Sequence, residues 1–210
     1  MRMPPPRATV WLVAATAAVF VVLYSARLID HAALYAGFVP ARFGRIEWLP
    51  YAVPALLTPL TATLVHANIL HIAFNMMMLG FCGRFVEAPL GSRGLLVLYV
   101  VGAYAAALAQ WVVGPGSTEP MVGASGAVSA IVGAYALLFG QRKVRDIGPI
   151  PGNVLHVLWL AAAWIGLQLL FGIANIGGSP GGIAIAAHIG GFLAGLLLAR
   201  PLLLWRYRGA

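Results

Sequence analysis

Charged residues are scarce in this sequence, and acidic residues are the scarcest among them. Charged residues make up 9% of the 210 residues, Asp and Glu together number 5, and 61% of the chain is hydrophobic. An average soluble domain is about a quarter charged. These proportions exclude a soluble globular protein and indicate a chain that lies mostly within a lipid bilayer.

Cysteine is nearly absent as well. The single Cys82 excludes a disulfide within the chain. Metal-binding patterns are also missing, because no His-Glu-x-x-His sequence occurs and His66 and His71 do not have that spacing. The sequence therefore predicts neither a disulfide framework nor a metal site.

Long apolar runs dominate what is present. A bilayer core about 30 Å thick needs about 20 apolar residues for each helical crossing. Breaks at Pro, Gly and charged residues divide the chain into six such runs, at 8–26, 61–82, 94–113, 123–140, 154–174 and 182–204. We therefore predict an all-α membrane protein with six transmembrane helices in a single domain, 1–210. The mixed segment 27–60 is predicted to be a long loop.

Basic residues are distributed unevenly between the two sides that these spans define. One side receives Arg2, Arg7, Arg84, Arg93, Arg142, Lys143, Arg145, Arg200, Arg206 and Arg208. The other side receives only Arg27, Arg42 and Arg45. Because Lys and Arg are enriched in cytoplasmic loops, we predict that both termini are cytoplasmic. The net charge of +8 therefore reflects membrane orientation and does not indicate nucleic-acid binding.

The first run has an alternative interpretation. A short basic start followed by an apolar run also describes a secretory signal peptide, and Tyr24-Ser25-Ala26 resembles a cleavage site. However, the run is long for a signal, and its removal would leave an odd number of helices. We therefore favour a first helix that is retained.

Polar side chains within the second run are functional candidates, because burying them in lipid is costly. His71 and Asn75 lie within about 40° of each other on a helix, whereas His66 is about 140° from His71. His71 and Asn75 are therefore expected to point into one pocket, and His66 is expected to anchor the preceding loop. Hydrogen bonding between helices is the alternative role for the pair.

The fourth run opens with Gly123-Ala124-Ser125-Gly126. Small neighbours would let a substrate backbone approach the serine, and free amides at a helix start can bind an oxyanion. The alternative is ordinary packing of helices through small residues.

The sixth run contains His188, with Gly191 and Gly195 on the same face. The two glycines allow close packing against a neighbouring helix. If that neighbour is the fourth helix, His188 reaches Ser125, since both residues lie in the first third of helices that run inward. Histidine accepts the proton of a nucleophilic serine near neutral pH.

Acidic side chains cannot complete a triad in this arrangement. All five of them, Asp30, Glu47, Glu87, Glu119 and Asp146, fall in predicted loops or at helix ends. A Ser125/His188 dyad is therefore predicted. The candidate oxyanion donors are the Ser125 backbone amide and the side chains of Asn75 and His71.

Taken in order, these motifs resemble the rhomboid family of intramembrane serine proteases. The resemblance covers about residues 50–200. It rests on His66-x4-His71-x3-Asn75, Gly123-Ala124-Ser125-Gly126, Ala187-His188-x2-Gly191-x3-Gly195, and Gly83-Arg84-Phe85-Val86-Glu87 with Leu90-Gly91-Ser92.

The resemblance implies a six-helix bundle with a water-filled cavity that opens to the extracytoplasmic side. Ser125 would be the nucleophile, His188 the general base and acid, and His71 and Asn75 would line the oxyanion hole. The substrates would be single-pass membrane proteins in membrane lipid, and no metal or organic cofactor would be needed. The basic inner face is in keeping with a prokaryotic plasma membrane.

The chain departs from the family pattern at two places. Pro54-Ala55 stand where many rhomboids have a Trp-Arg pair. Ser129 stands four residues after the nucleophile, where many members have an aromatic residue that stacks on the catalytic histidine. The sequence therefore leaves open how His188 is held.

Two rival functions remain. A rhomboid-like pseudoprotease would bind membrane helices without cleaving them, but such proteins usually lose the serine or the histidine. A small transporter or channel should show interrupted helices in pairs or a series of intramembrane carboxylates. The sequence shows neither feature, so we favour the protease.

Overall fold

Helices make up most of the chain in the computed structural model, which describes residues 5–43, 49–139, 146–174 and 185–209. They are α1 (Arg7–Ser25), α2 (Ile29–Ala36), α3 (Thr58–Thr61), α4 (Ile69–Val113), α5 (Ser125–Phe139), α6 (Gly152–Ala174) and α7 (Ile185–Arg206). Short 3-10 helices lie at Pro40–Phe43, Ala55–Leu57 and Ala62–Leu64. The prediction of a helical chain rich in apolar segments is confirmed.

Three helices within the described ranges are long and apolar enough to cross a membrane, namely α1, α4 and α7. Shorter apolar helical segments lie at Ala55–Leu64, Ser125–Phe139 and Val154–Trp164. A straight α4 would be about 68 Å long at about 1.5 Å per residue, roughly twice the thickness of a bilayer core. The backbone of Gly91 (φ 73°, ψ 166°) interrupts this helix. Because that conformation favours glycine, Gly91 marks the division of α4 into two arms.

The second predicted span, 61–82, was wrong at its start. Residues before Ile69 form short helical turns, and Asn68 has extended backbone angles. The Asn68 side chain accepts a hydrogen bond from the backbone N–H of His71 at 2.8 Å, so Asn68 is the N-cap of α4. Hydropathy alone does not locate this boundary, because it is set by the side-chain hydrogen bond of Asn68 and not by a change in apolar character.

The described parts of segment 27–60, which was predicted to be a long loop, contain helical structure. They include α2, two 3-10 helices and the start of α3. The ends of α1, α5, α6 and α7 agree with the predicted spans within a few residues. Positions 140 and 182–184 of those spans lie outside the described residues, as do Arg2, Arg45, Glu47, Arg142, Lys143 and Arg145.

Helix α5 is enclosed by its neighbours. Ala127, Val128, Ala130 and Ile131 have at most 1% of their surface exposed. Glycines bring α7 very close, because a Cβ on Gly195 would overlap the carbonyl oxygen of Ala130. Side chains of any size would therefore separate the two helices. This close packing sets the first turns of α5 and α7 side by side.

Glu87 was predicted to lie between spans, but it is buried within α4. Its carboxylate accepts hydrogen bonds from the backbone N–H groups of Ala8 and Thr9 at 2.8 and 2.9 Å. The hydroxyls of Thr9 and Ser92 also donate to it, both at 2.7 Å. The carboxylate thus satisfies free amides at the start of α1 and joins that helix to α4 beside the Gly91 break.

Candidate functional site

Ser125 and His188 are in direct contact. The Nε2 atom of His188 lies 2.8 Å from Ser125 Oγ. Ser125 is the first residue of α5, and His188 lies in the first turn of α7. The contact therefore joins two helix starts at one level of the bundle, where a neutral imidazole can accept the serine proton.

The small residues around this pair account for its geometry. A Cβ on Gly191 would overlap the carbonyl oxygen of Gly126, and one on Gly126 would meet the Cβ of Ala106 in α4. Helices α4 and α7 therefore both approach the first turn of α5 closely. His188 is 5% exposed, and its Nδ1 has no hydrogen-bond partner among the described residues.

His71 lies against the turn that precedes Ser125. Gly123 has a φ of +113°, and a Cβ on it would overlap His71 Nε2. The backbone N–H of Ala67 donates to His71 Nδ1 at 3.4 Å. A neutral imidazole that accepts at Nδ1 carries its proton on Nε2. His71 therefore presents an N–H donor beside Gly123, two residues before the serine.

Asn75 is fully buried one turn further along α4. Its Nδ2 donates to the His71 carbonyl at 2.8 Å, so this bond lies within α4. An amide nitrogen has a second hydrogen, which remains available to another acceptor. Asn75 Oδ1 is buried without a hydrogen-bond partner in the described part of the chain.

The sequence placed His66 about 140° from His71 on the same helix, and that placement was wrong. The two rings meet edge to face with their centroids 4.9 Å apart, because His66 precedes α4 and does not follow helical geometry. His66 Nε2 accepts the backbone N–H of Ala124 at 3.3 Å, and the N–H of Gly123 donates to the Ala62 carbonyl at 2.9 Å. His66 thus contacts the turn before Ser125, in addition to its own loop.

The protonation state of His66 follows from its burial. Desolvation by burial is the main cause that lowers the pKa of His66 below its usual value. The imidazole is therefore neutral at physiological pH and can accept a hydrogen bond from Ala124.

In the described part of the chain, no group of three or more His, Cys, Asp or Glu side chains is arranged to hold a metal ion.

Ser129 lies one turn after Ser125 and is fully buried. Its hydroxyl donates to the Ser125 carbonyl and accepts a hydrogen bond from Trp164 Nε1, each at 2.7 Å. The Trp164 ring stacks on Phe74, with centroids 5.5 Å apart. Sequence reasoning missed Trp164 and Phe74, because an aromatic residue within an apolar run carries no signal of a specific contact.

The fold and this site define a class: helical membrane proteins with a Ser–His pair at the starts of two closely packed helices. A family model described as "Rhomboid domain" matches residues 54–205. The chain belongs to the rhomboid family. The resemblance inferred from the sequence motifs is therefore confirmed.

Curated relatives carry related names. The chain is 35% identical over 139 residues to rhomboid protease GlpG of Pectobacterium atrosepticum, covering 65% of this chain and 45% of the relative. It is 36% identical over 137 residues to GlpG of Serratia proteamaculans, covering 64% and 44% respectively. It is 30% identical over 147 residues to rhomboid protease GluP of Bacillus subtilis, covering 70% and 25%. The matched region thus spans less than half the length of these relatives.

Proposed function

We propose that this chain is an intramembrane serine endopeptidase in which Ser125 is the nucleophile and His188 the general base and acid. The 2.8 Å contact between His188 Nε2 and Ser125 Oγ is the observation that carries the proposal. Membership of the rhomboid family and the names of the relatives, GlpG and GluP rhomboid proteases, support it.

Catalysis begins when Ser125 Oγ attacks the carbonyl carbon of the scissile peptide bond and its proton passes to His188 Nε2. The tetrahedral intermediate then collapses, and the leaving amine takes the proton from His188. A water molecule attacks the resulting acyl ester while His188 accepts its proton. The second tetrahedral intermediate collapses as His188 returns this proton to Ser125 Oγ, which releases the carboxylic acid product and restores both residues.

Negative charge on the substrate oxygen is stabilised by donors on α4 and α5. The Ser125 amide lies at a helix start, where N–H groups have no intrahelical acceptor. His71 Nε2–H and the second N–H of Asn75 are the side-chain donors, and Gly123 leaves room beside them. Ala124 and Gly126 keep the approach to Ser125 free of large side chains.

The membrane topology belongs to the same proposal. The single domain, 1–210, crosses the membrane six times with both termini in the cytoplasm. Helix α4 supplies two of these crossings, one on each side of Gly91. The starts of α5 and α7, and hence the site, then face the extracytoplasmic side. The substrates are single-pass transmembrane proteins of a bacterial plasma membrane, in line with the bacterial sources of the relatives.

Covalent labelling tests this function directly. Purified protein in detergent should react with a serine-directed fluorophosphonate and should cleave a model single-pass helix in liposomes. Ser125→Ala should abolish labelling, and His188→Ala should reduce both reactions at least about a thousandfold. Ser25, exposed at the end of α1, offers a control, since Ser25→Ala should leave both unchanged. Folded protein that binds the helix but is neither labelled nor active would instead be a pseudoprotease.

A further inference from the structure

A chain of hydrogen bonds lies behind the proposed nucleophile. Trp164 Nε1–H donates to Ser129 Oγ, and the Ser129 hydroxyl donates to the Ser125 carbonyl. Both bonds are 2.7 Å long. Because the indole nitrogen can only donate, it leaves the Ser129 hydroxyl to direct its own proton at Ser125. The two bonds therefore have a defined direction, from α6 into the first turn of α5.

The surroundings prevent this chain from rearranging. Ser129 is fully buried and Trp164 is 3% exposed, so water does not compete freely for their polar atoms. The Trp164 ring is held on its other side by the stack on Phe74, the residue before Asn75. On the third side, a Cβ on Gly191 would lie 3.2 Å from Ser129 Cβ, so α7 closes off that space. Consecutive hydrogen bonds in such a setting strengthen each other.

A serine that donates to the carbonyl four residues earlier commonly bends the helix at that point. Here the bonded carbonyl belongs to Ser125 itself, in the first turn of α5. The direction of the Ser125 side chain and of its amide depends on that turn. The hydrogen bond from Ser129, with Ser129 held in turn by Trp164, thus acts on the turn that orients both groups that the reaction uses.

We propose that Ser129 and Trp164 are positioning residues that fix the orientation of Ser125 through this chain of hydrogen bonds. The inference rests on the proposed function, since it needs Ser125 to be the nucleophile. The Ser129 hydroxyl thus forms both hydrogen bonds, one to the Ser125 carbonyl and one from the Trp164 side chain of α6. Helix α6, which faces α7 across an apolar cavity of about 190 Å³, acquires a defined link to the reacting serine.

Trp164→Phe is the sharpest test, because it keeps an aromatic ring to stack on Phe74 and removes the N–H donor. We expect kcat for helix cleavage and the rate constant of fluorophosphonate labelling to fall in parallel, by about two- to tenfold, as expected for one hydrogen bond. KM should be unchanged. The final labelled fraction should also be unchanged, because it counts folded sites and not their speed.

Ser129→Ala should produce the same loss, and the double variant should be no slower than the slower single variant, since either change breaks the same chain. Trp159→Phe is the matched control on α6, because Trp159 is 72% exposed, and it should behave as wild type. If Ser129→Ala lowers the labelled fraction through misfolding, Trp164→Phe alone decides the question.

An unchanged labelling rate constant in Trp164→Phe would overturn the inference. If the same variant also cleaved the helix substrate faster, the hydrogen bond would restrain α6 and not Ser125. Both results require a wild-type protein that is labelled at Ser125. A wild-type protein without labelling would instead contradict the proposed function.

Discussion

Gly191 of α7 packs directly against the carbonyl oxygen of Gly126 in the first turn of α5. A Cβ at residue 191 cannot fit there unless one of the two helices moves. Because His188 precedes Gly191 by one helical turn and Ser125 precedes Gly126, such a movement also changes the distance between the imidazole and the hydroxyl. The spacing of the proposed dyad is therefore set by helix packing.

Gly191→Ala should impair both stability and activity. Overpacking at a close contact typically costs about 1–3 kcal/mol, and we expect thermal unfolding in detergent to shift downwards, with cleavage reduced at least about tenfold. Gly80→Ala is the matched control, since a Cβ on Gly80 meets nothing within 4 Å and should leave both quantities unchanged. Wild-type activity in folded Gly191→Ala would show that the dyad tolerates this separation.

Asn75→Ala should slow turnover by about ten- to a thousandfold, as expected for the loss of an oxyanion donor. The reduction should appear in kcat with little change in KM, because the donor acts on charge that develops in the transition state. Steady-state cleavage of a helix substrate measures both constants. An unchanged rate, with lower thermal stability, would assign Asn75 a packing role only.

His66→Ala should reduce the labelling rate constant by about tenfold. It removes the acceptor for the Ala124 N–H and loosens the turn that leads into Ser125. His66→Gln should recover part of the rate, since its side-chain oxygen can also accept that hydrogen bond. His31→Ala, on α2, is the control and should have no effect. Equal losses in the Ala and Gln variants would argue against the hydrogen bond.

Glu87→Gln should destabilise the protein by about 2–3 kcal/mol without changing the chemistry of the site. The neutral amide keeps only one oxygen for the four hydrogen bonds that the carboxylate accepts from Ala8, Thr9 and Ser92. Thermal unfolding in detergent measures the loss. Glu119→Gln, at an exposed position, should have no effect. A Glu87→Gln protein as stable as wild type would mean that this network contributes little.

The apolar character of the chain and the approximate helix positions were predictable from the sequence. Burial of backbone polar groups in lipid requires helices, so long apolar runs report the fold class directly. Motif order was equally informative, because Ser125 and His188 both open apolar segments. The start of α4 was predicted wrongly, since the cap at Asn68 depends on one side-chain hydrogen bond and not on hydropathy.

The orientation of the His66 side chain could not be predicted from helical geometry, because His66 precedes α4. Its distance from His71 depends on how the chain enters α4, and that path is decided by contacts with residues far away in sequence, such as Ala124. Glu87 illustrates the same limit. Its burial follows from the start of α1, which supplies amides that no local pattern around Glu87 indicates.

By itself, the sequence determined that this is an apolar helical chain with a serine, three histidines and an asparagine in motifs of the rhomboid family, because composition and residue order are properties of the chain alone. Only the tertiary structure decided which groups meet: Ser125 with His188, His66 with Ala124, and Ser129 with Trp164. Glycine contacts between helices set these distances, and hydrogen bonds between segments remote in sequence give the side chains their directions. Neither can be read from the spacing of residues along the chain.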